Sequence, residues 1–99
     1  MSGEAKTSKA FLVERYWPGV TWQQMRAGAD RLSAATASGA VRYLRSTLIP
    51  DDSVVFCVFE APCADDVATI NTQADVRFDR IVACTTVYDR DANEIRHTA

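Results

Sequence analysis

The sequence lacks a surplus of positive charge, a long apolar run and an apolar stretch near its start. Its 11 lysines and arginines stand against 13 aspartates and glutamates, for a net charge of -2 and a pI near 5.2. Because a chain without a basic surplus has little with which to neutralise a run of phosphates, we expect no nucleic-acid partner. No apolar run approaches the roughly 20 residues of a membrane-spanning helix, so we expect no membrane partner.

Cysteine and histidine are also scarce. The three cysteines, Cys57, Cys63 and Cys84, form an odd set without CxxC spacing, which favours neither a disulfide framework nor a zinc site. Residues 1–10 are polar and lack the apolar core of a secretory signal. Together these features predict a cytoplasmic protein with reduced thiols.

Length and composition are typical of a single globular domain. The chain has 99 residues, of which 47% are hydrophobic and 24% charged, and this length leaves no room for a second independent core. We expect a disordered N-terminal segment at 1–9, one domain at 10–88 and a polar C-terminal tail at 89–99.

The order of apolar patterns along this domain predicts four strands and two helices. Strands are expected at 11–16, 41–48, 54–59 and 80–88, from their aliphatic, aromatic and β-branched content. Thr21 and Gln24 have capping-box spacing at the start of the first helix, and a second helix is expected after Pro62. The order βαββαβ is that of the α+β, ferredoxin-like two-layer sandwich, whose antiparallel sheet has its first and third strands in the middle.

The third predicted strand indicates how such a domain assembles. Residues 54–59 are apolar at every position, so both faces of this strand should be buried. The two helices of one chain can cover only one face of the sheet. We therefore expect a homodimer in which a second copy covers the other face.

Charged residues interrupt these apolar strands, and two interpretations of them stay open. In one, they form ion pairs that fix the strand register at an interface or at the solvent boundary. In the other, arginine, tyrosine and carboxylate form the polar end of a pocket for a small anionic or phenolic ligand. The ligand-pocket candidates are Glu14, Tyr16, Arg42, Tyr43, Glu60 and Trp22, the last as either an aromatic pocket wall or a packing anchor.

Four segments resemble blocks of a known family. They are FLVERY at 11–16, VRYLRST at 41–47, FCVFEAP at 56–62 and FDRIV at 78–82. In this order they resemble a family of small ferredoxin-like proteins of unknown function, often labelled nickel-binding-protein-like. The resemblance implies a compact homodimer with no established enzymatic activity and a link to nickel or another divalent metal.

The residues that could hold such a metal are few. Imidazole and thiolate suit nickel, which makes His97, Cys57 and Cys84 the candidate ligands. His97 lies in the tail, outside the family-like region, and the two cysteines lie on strands separated by the first strand. The alternative interpretation is that the cysteines are small core side chains. Cys63, at a helix start, has a weaker claim to a nucleophilic or redox role.

The sequence predicts no catalytic residues. The function it favours is a small, non-catalytic ferredoxin-like homodimer that binds a small ligand or a divalent metal. The alternative is a cofactor-independent enzyme of the dimeric α/β-barrel kind, resembling monooxygenases and isomerases, with Glu14 and Tyr16 as the acid or base. A purely structural partner protein is a third possibility.

Overall fold

The computed structural model describes residues 9–87 and has the predicted order of elements. These elements are β1 (Lys9–Tyr16), α1 (Trp22–Ala35), β2 (Arg42–Ile49), β3 (Val54–Ala61), α2 (Ala64–Gln73) and β4 (Arg80–Cys84), with a 3-10 turn at Pro50–Asp52. The strands form one antiparallel sheet in the order β2-β3-β1-β4. The predicted α+β class and the central position of the first and third strands are confirmed. Residues 1–8 and 88–99 lie outside the described residues, and with them the predicted tail and His97.

Local sequence explains where α1 begins. The Gln24 backbone N–H donates to the Thr21 hydroxyl at 3.0 Å, and the Thr21 N–H donates to the Gln24 side-chain oxygen at 2.8 Å. This is the predicted capping box, which satisfies amide groups that the first turn leaves without helical partners. Met25 and Leu32 carry the buried stripe of the helix, whereas Trp22, at its first position, is 66% exposed.

Strand β2 is irregular near its start. The pairing with β3 shifts between Tyr43, opposite Phe59, and Arg45, opposite Val58. This irregularity places one extra residue, Leu44, on β2 and resets the alternation. Arg45 is therefore the residue opposite Val58, and Ser46 lies opposite Cys57 on the helix-covered side.

The two faces of the sheet differ in what covers them. One face packs against α1 and α2, and its side chains belong to the buried core, which includes Phe11, Val13, Val55, Cys57, Phe59, Met25, Leu32 and Val67. We call the other the open face, defined at its centre by Leu12, Phe56, Val58 and Val82. These four side chains are only partly buried in the single chain, and register places Val58 and Val82 on either side of Leu12.

Among residues 9–87, neither helix combines the length and the apolar content needed to cross a membrane.

Candidate functional site

A cleft of about 160 Å³ lies between α1 and β2 on the helix-covered side of the sheet. Its lining residues are Trp22, Met25, Arg26, Ala29, Tyr43, Ser46 and Leu48. Helical spacing brings the first four to one side of α1, and the shift in β2 leaves Tyr43 and Ser46 on the same side of the sheet. The cleft thus has mostly apolar walls and two hydroxyl groups.

A continuous chain of polar contacts runs from these hydroxyls into the core. The Tyr43 and Ser46 hydroxyls are hydrogen-bonded to each other, and the Ser46 oxygen lies 2.9 Å from the Cys57 sulfur. Behind Cys57, Arg15 Nη2 donates to the sulfur at 3.1 Å and to Asn71 Oδ1 at 2.9 Å. We call these five residues the polar relay.

Arg15 is the unusual member of the polar relay, because its side chain is charged and only 1% of the residue is exposed. Its Nη1 donates to the Arg77 carbonyl at 2.7 Å, and among the described residues its Nε has no hydrogen-bond partner. Its described acceptors are a carbonyl, an amide oxygen and a sulfur, with no carboxylate among them. Because no carboxylate among these acceptors neutralises the charge of Arg15, this part of the core is electropositive. Burying such a cation is costly, so its hydrogen bonds are needed to offset the loss of water.

Asn71 and Tyr43 are positioned by their own packing. Asn71 is fully buried, and its Nδ2 donates to the Val67 carbonyl at 2.9 Å, which orients its oxygen toward Arg15. The Tyr43 ring lies on Phe59, with centroids 5.3 Å apart. Burial raises the pKa of Tyr43 above its ordinary value, and the hydrogen bond with Ser46 offsets part of this rise. Tyr43 is therefore a neutral phenol at physiological pH.

On the open face, charges of opposite sign pair across neighbouring strands. Arg42 Nη1 lies 3.1 Å from Glu60 Oε1. Arg80 donates from Nε and Nη2 to the two oxygens of Glu14, at 3.0 and 3.2 Å. These contacts raise the pKa of Arg80 above its ordinary value, through the hydrogen bonds and the charge of Glu14. The two ion pairs lie at opposite ends of the apolar centre of this face.

The six ligand-pocket candidates therefore divide between the two faces of the sheet. Trp22 and Tyr43 meet in the cleft, whereas Glu14, Tyr16, Arg42 and Glu60 belong to the open face by strand register. Tyr16 is 56% exposed.

Three members of the polar relay, Arg15, Ser46 and Asn71, were not among the sequence-based site candidates. Arg15 could have been found, because it shares the strand alternation of Phe11 and Val13 and should face the same side. Asn71 carries a weaker signal, as a polar side chain four residues beyond Val67 on the buried side of α2.

The candidate metal ligands do not converge. Cys57 is buried beneath the helices, whereas Cys84 is paired with Ala10 and faces the open side. Within residues 9–87 no three cysteine, histidine, aspartate or glutamate side chains are grouped to hold a metal ion. Cys63 is the exposed N-cap of α2 and makes no side-chain cap hydrogen bond. The described residues of one chain thus do not fit a nickel centre.

Comparison with known proteins identifies the family. A family model described as nickel responsive protein SCO4226-like matches residues 11–84. The chain belongs to the SCO4226-like family. The sequence-based resemblance to a nickel-labelled family is thereby confirmed.

A solved structure of SCO4226, the protein after which the family is described, supports the fold. The crystal structure of SCO4226 from Streptomyces coelicolor A3(2) superposes with a TM-score of 0.72 at 19% sequence identity. The match covers 80% of this chain and 99% of the other. At this identity the likeness establishes a shared fold. A search of curated proteins gave no match.

Proposed function

We propose that this member of the SCO4226-like family is a non-catalytic homodimer that pairs through its open face and binds a small ligand in the cleft. The observation that carries the pairing is the apolar centre of the open face. Leu12, Phe56, Val58 and Val82 lie side by side there, and both helices pack on the opposite side of the sheet. Covering these side chains with a second sheet removes apolar surface from water.

The charges of the open face favour a second copy of the same chain as its cover. Arg42 is paired with Glu60 and Arg80 with Glu14 within one protomer. Two arginines of this face are thus paired within the protomer, and the four side chains at its centre carry no charge, although Arg45 lies beside them, opposite Val58 on the edge strand β2. A two-fold axis places an identical patch against itself, which suits a surface of this kind.

The cleft favours binding over proton-transfer chemistry. Its ionisable lining residues are Arg26 and Tyr43, and the raised pKa of Tyr43 keeps its proton in place at neutral pH. Glu14 and Tyr16, the acid or base of the enzyme alternative, belong to the opposite face. A general acid or base must reach the proton that it transfers, so these two are badly placed to serve the cleft.

Nickel enters this proposal through the name of the family, which suggests a response to that ion. Because the described residues of one chain do not fit a nickel centre, we assign no step of the proposed function to a bound metal.

Sedimentation velocity of the wild-type protein and a Val58→Glu variant tests the pairing. The wild type is expected to sediment as a dimer at micromolar concentrations. The variant is expected to sediment as a monomer, because Val58 lies at the centre of the open face and a carboxylate there faces its own copy across the axis. Gln23→Glu adds the same charge on the exposed side of α1 and should leave the dimer intact.

Circular dichroism of Val58→Glu is expected to match the wild type, since the core on the helix side is unchanged. A monomeric wild type, or a folded Val58→Glu variant that remains a dimer, would overturn the pairing through this face.

A further inference from the structure

The dimensions of the cleft limit the ligand to about one ring. Its volume of about 160 Å³ is below the roughly 300 Å³ at which pockets for drug-sized molecules begin. A protein cavity of about 150 Å³ is known to accommodate benzene. Trp22, Met25 and Leu48 supply apolar and aromatic walls suited to a flat ring.

The hydrogen bonds of the polar relay allow the Tyr43 hydroxyl to donate into the cleft. Arg15 can only donate, so the Cys57 sulfur accepts from it. In the Ser46–Cys57 and Tyr43–Ser46 contacts either atom can be the donor. In one arrangement the Cys57 S–H donates to Ser46 and the Ser46 hydroxyl donates to Tyr43, which frees the Tyr43 O–H to donate into the cleft. An acceptor atom on the ligand selects this arrangement, in which Arg15 at the far end of the chain polarises each successive donor.

The charge behind the cleft favours the same kind of ligand. Arg15 is a buried cation whose described hydrogen-bond acceptors include no carboxylate. At the rim, Arg26 has its Nε 3.4 Å from Asp30, and both side chains are mostly exposed, so this pair contributes little net field. The dominant charge near the polar end of the cleft is therefore positive.

We infer that the cleft binds a single-ring aromatic anion whose carboxylate or phenolate oxygen accepts a hydrogen bond from Tyr43. This inference rests on the small-ligand binding proposed above and deepens it by naming the class of ligand. The aromatic ring lies between α1 and β2, with Trp22 at the mouth, and the acceptor oxygen points toward the hydroxyls.

Titration followed by two-dimensional NMR of the ¹⁵N-labelled protein tests the class of ligand. Benzoate is the probe, with benzylamine and cyclohexanecarboxylate as matched compounds that reverse the charge or remove the aromatic ring. Benzoate is expected to bind with a dissociation constant of about 1 mM or tighter and to shift amide signals of α1 and β2. Benzylamine is expected to bind at least about tenfold more weakly, because its ammonium meets the Tyr43 donor and lies near the buried cation Arg15.

Two matched pairs of variants locate the binding. Tyr43→Phe keeps the ring on Phe59 and removes the hydroxyl, and it should weaken benzoate binding by about tenfold. Tyr16→Phe removes an exposed hydroxyl of the open face and should leave binding unchanged. Ser46→Ala should weaken binding as well, whereas Thr47→Ala, at the neighbouring position facing the opposite side, should not.

The outcomes separate the class of ligand from ligand binding itself. If benzylamine binds as tightly as benzoate, or Tyr43→Phe binds benzoate like the wild type, the inferred class is wrong while ligand binding in the cleft stands. If none of the three probes shifts signals of α1 and β2, both the inference and the proposed ligand binding are overturned. The dimer is tested separately by sedimentation.

Discussion

The two faces of the sheet differ in how far the chain itself buries their apolar side chains, although β3 contributes similar side chains to both. Phe59, under the helices, is fully buried, whereas Phe56, on the open face of the same strand, is only partly buried in the single chain. The difference lies in the cover, because both residues are phenylalanines on one strand. The apolar content of a strand therefore does not tell which of its faces the chain itself covers.

The two faces also treat charge differently. On the open face Arg42 and Arg80 each meet a carboxylate within hydrogen-bond distance. Under the helices Arg15 meets a sulfur, an amide and a carbonyl. Exposed ion pairs are also solvated by water and contribute little to stability. A buried cation has no water to replace a missing partner and depends on every acceptor placed around it. Charged groups on the helix-covered face therefore depend more on their hydrogen-bond partners than those on the open face.

Truncating the two phenylalanines of β3 gives the sharpest test of this difference. Phe59→Ala is expected to lower the free energy of unfolding by about 3–5 kcal/mol, since it removes a buried ring and leaves a cavity beside Tyr43. Phe56→Ala should cost less, and its cost should grow with protein concentration if its ring is covered in the dimer proposed above. Urea unfolding at two protein concentrations measures both. Equal, concentration-independent losses would show that the open face is not an interface.

A smaller effect is expected when the polar relay loses one acceptor. Asn71→Ala removes an oxygen that Arg15 Nη2 donates to and the amide that donates to Val67, and it should cost about 1–3 kcal/mol of unfolding free energy. Thr72→Ala, at the next and exposed position of α2, should change it by less than about 0.5 kcal/mol. Thermal and urea unfolding of the two variants compare them. If both variants are equally stable, the buried acceptors of Arg15 are not needed for stability.

The smallest effect concerns alkaline pH. Burial raises the pKa of Tyr43 in the folded chain, so the unfolded chain loses this proton first as pH rises. The contribution of Tyr43 to stability is complete below about pH 10, the ordinary pKa of tyrosine, and is lost as pH rises through the higher folded value. The free energy of unfolding should therefore fall less steeply above pH 10 in Tyr43→Phe than in the wild type. Parallel pH profiles would contradict this.

Local signals predicted the elements well. The capping box of Thr21 and Gln24 marked the start of α1. The connection between β2 and β3 is formed by a proline and two aspartates at 50–52, residue types that are common in turns. Gly39, before β2, has a positive φ, which glycine adopts without the strain that other residues would incur. These features depend on neighbours a few residues apart, which the sequence displays directly.

The candidate site was harder to predict, because its parts are far apart along the chain. A regular strand at 41–48 would place Tyr43 and Arg45 on one face, but the irregularity at Leu44 shifts the pairing of β2 with β3 so that Tyr43 and Ser46 share a face. Trp22 was expected to be either an aromatic pocket wall or a packing anchor, and it lines the cleft. A single inserted position in a strand changes which side chains share a face, and no local pattern in residues 41–48 revealed it.

By itself, the sequence determined the order βαββαβ, the helix starts and the existence of two faces on the central strands, because capping and alternation act between near neighbours. Only the tertiary structure decided which face the helices cover and which polar groups meet beneath them. Arg15, Cys57 and Asn71 are joined by hydrogen bonds that span 42 and 56 positions of the chain. Because β3 is apolar on both faces, its sequence does not determine which face the helices cover. The packing of the helices on one face is what brings these distant residues into contact.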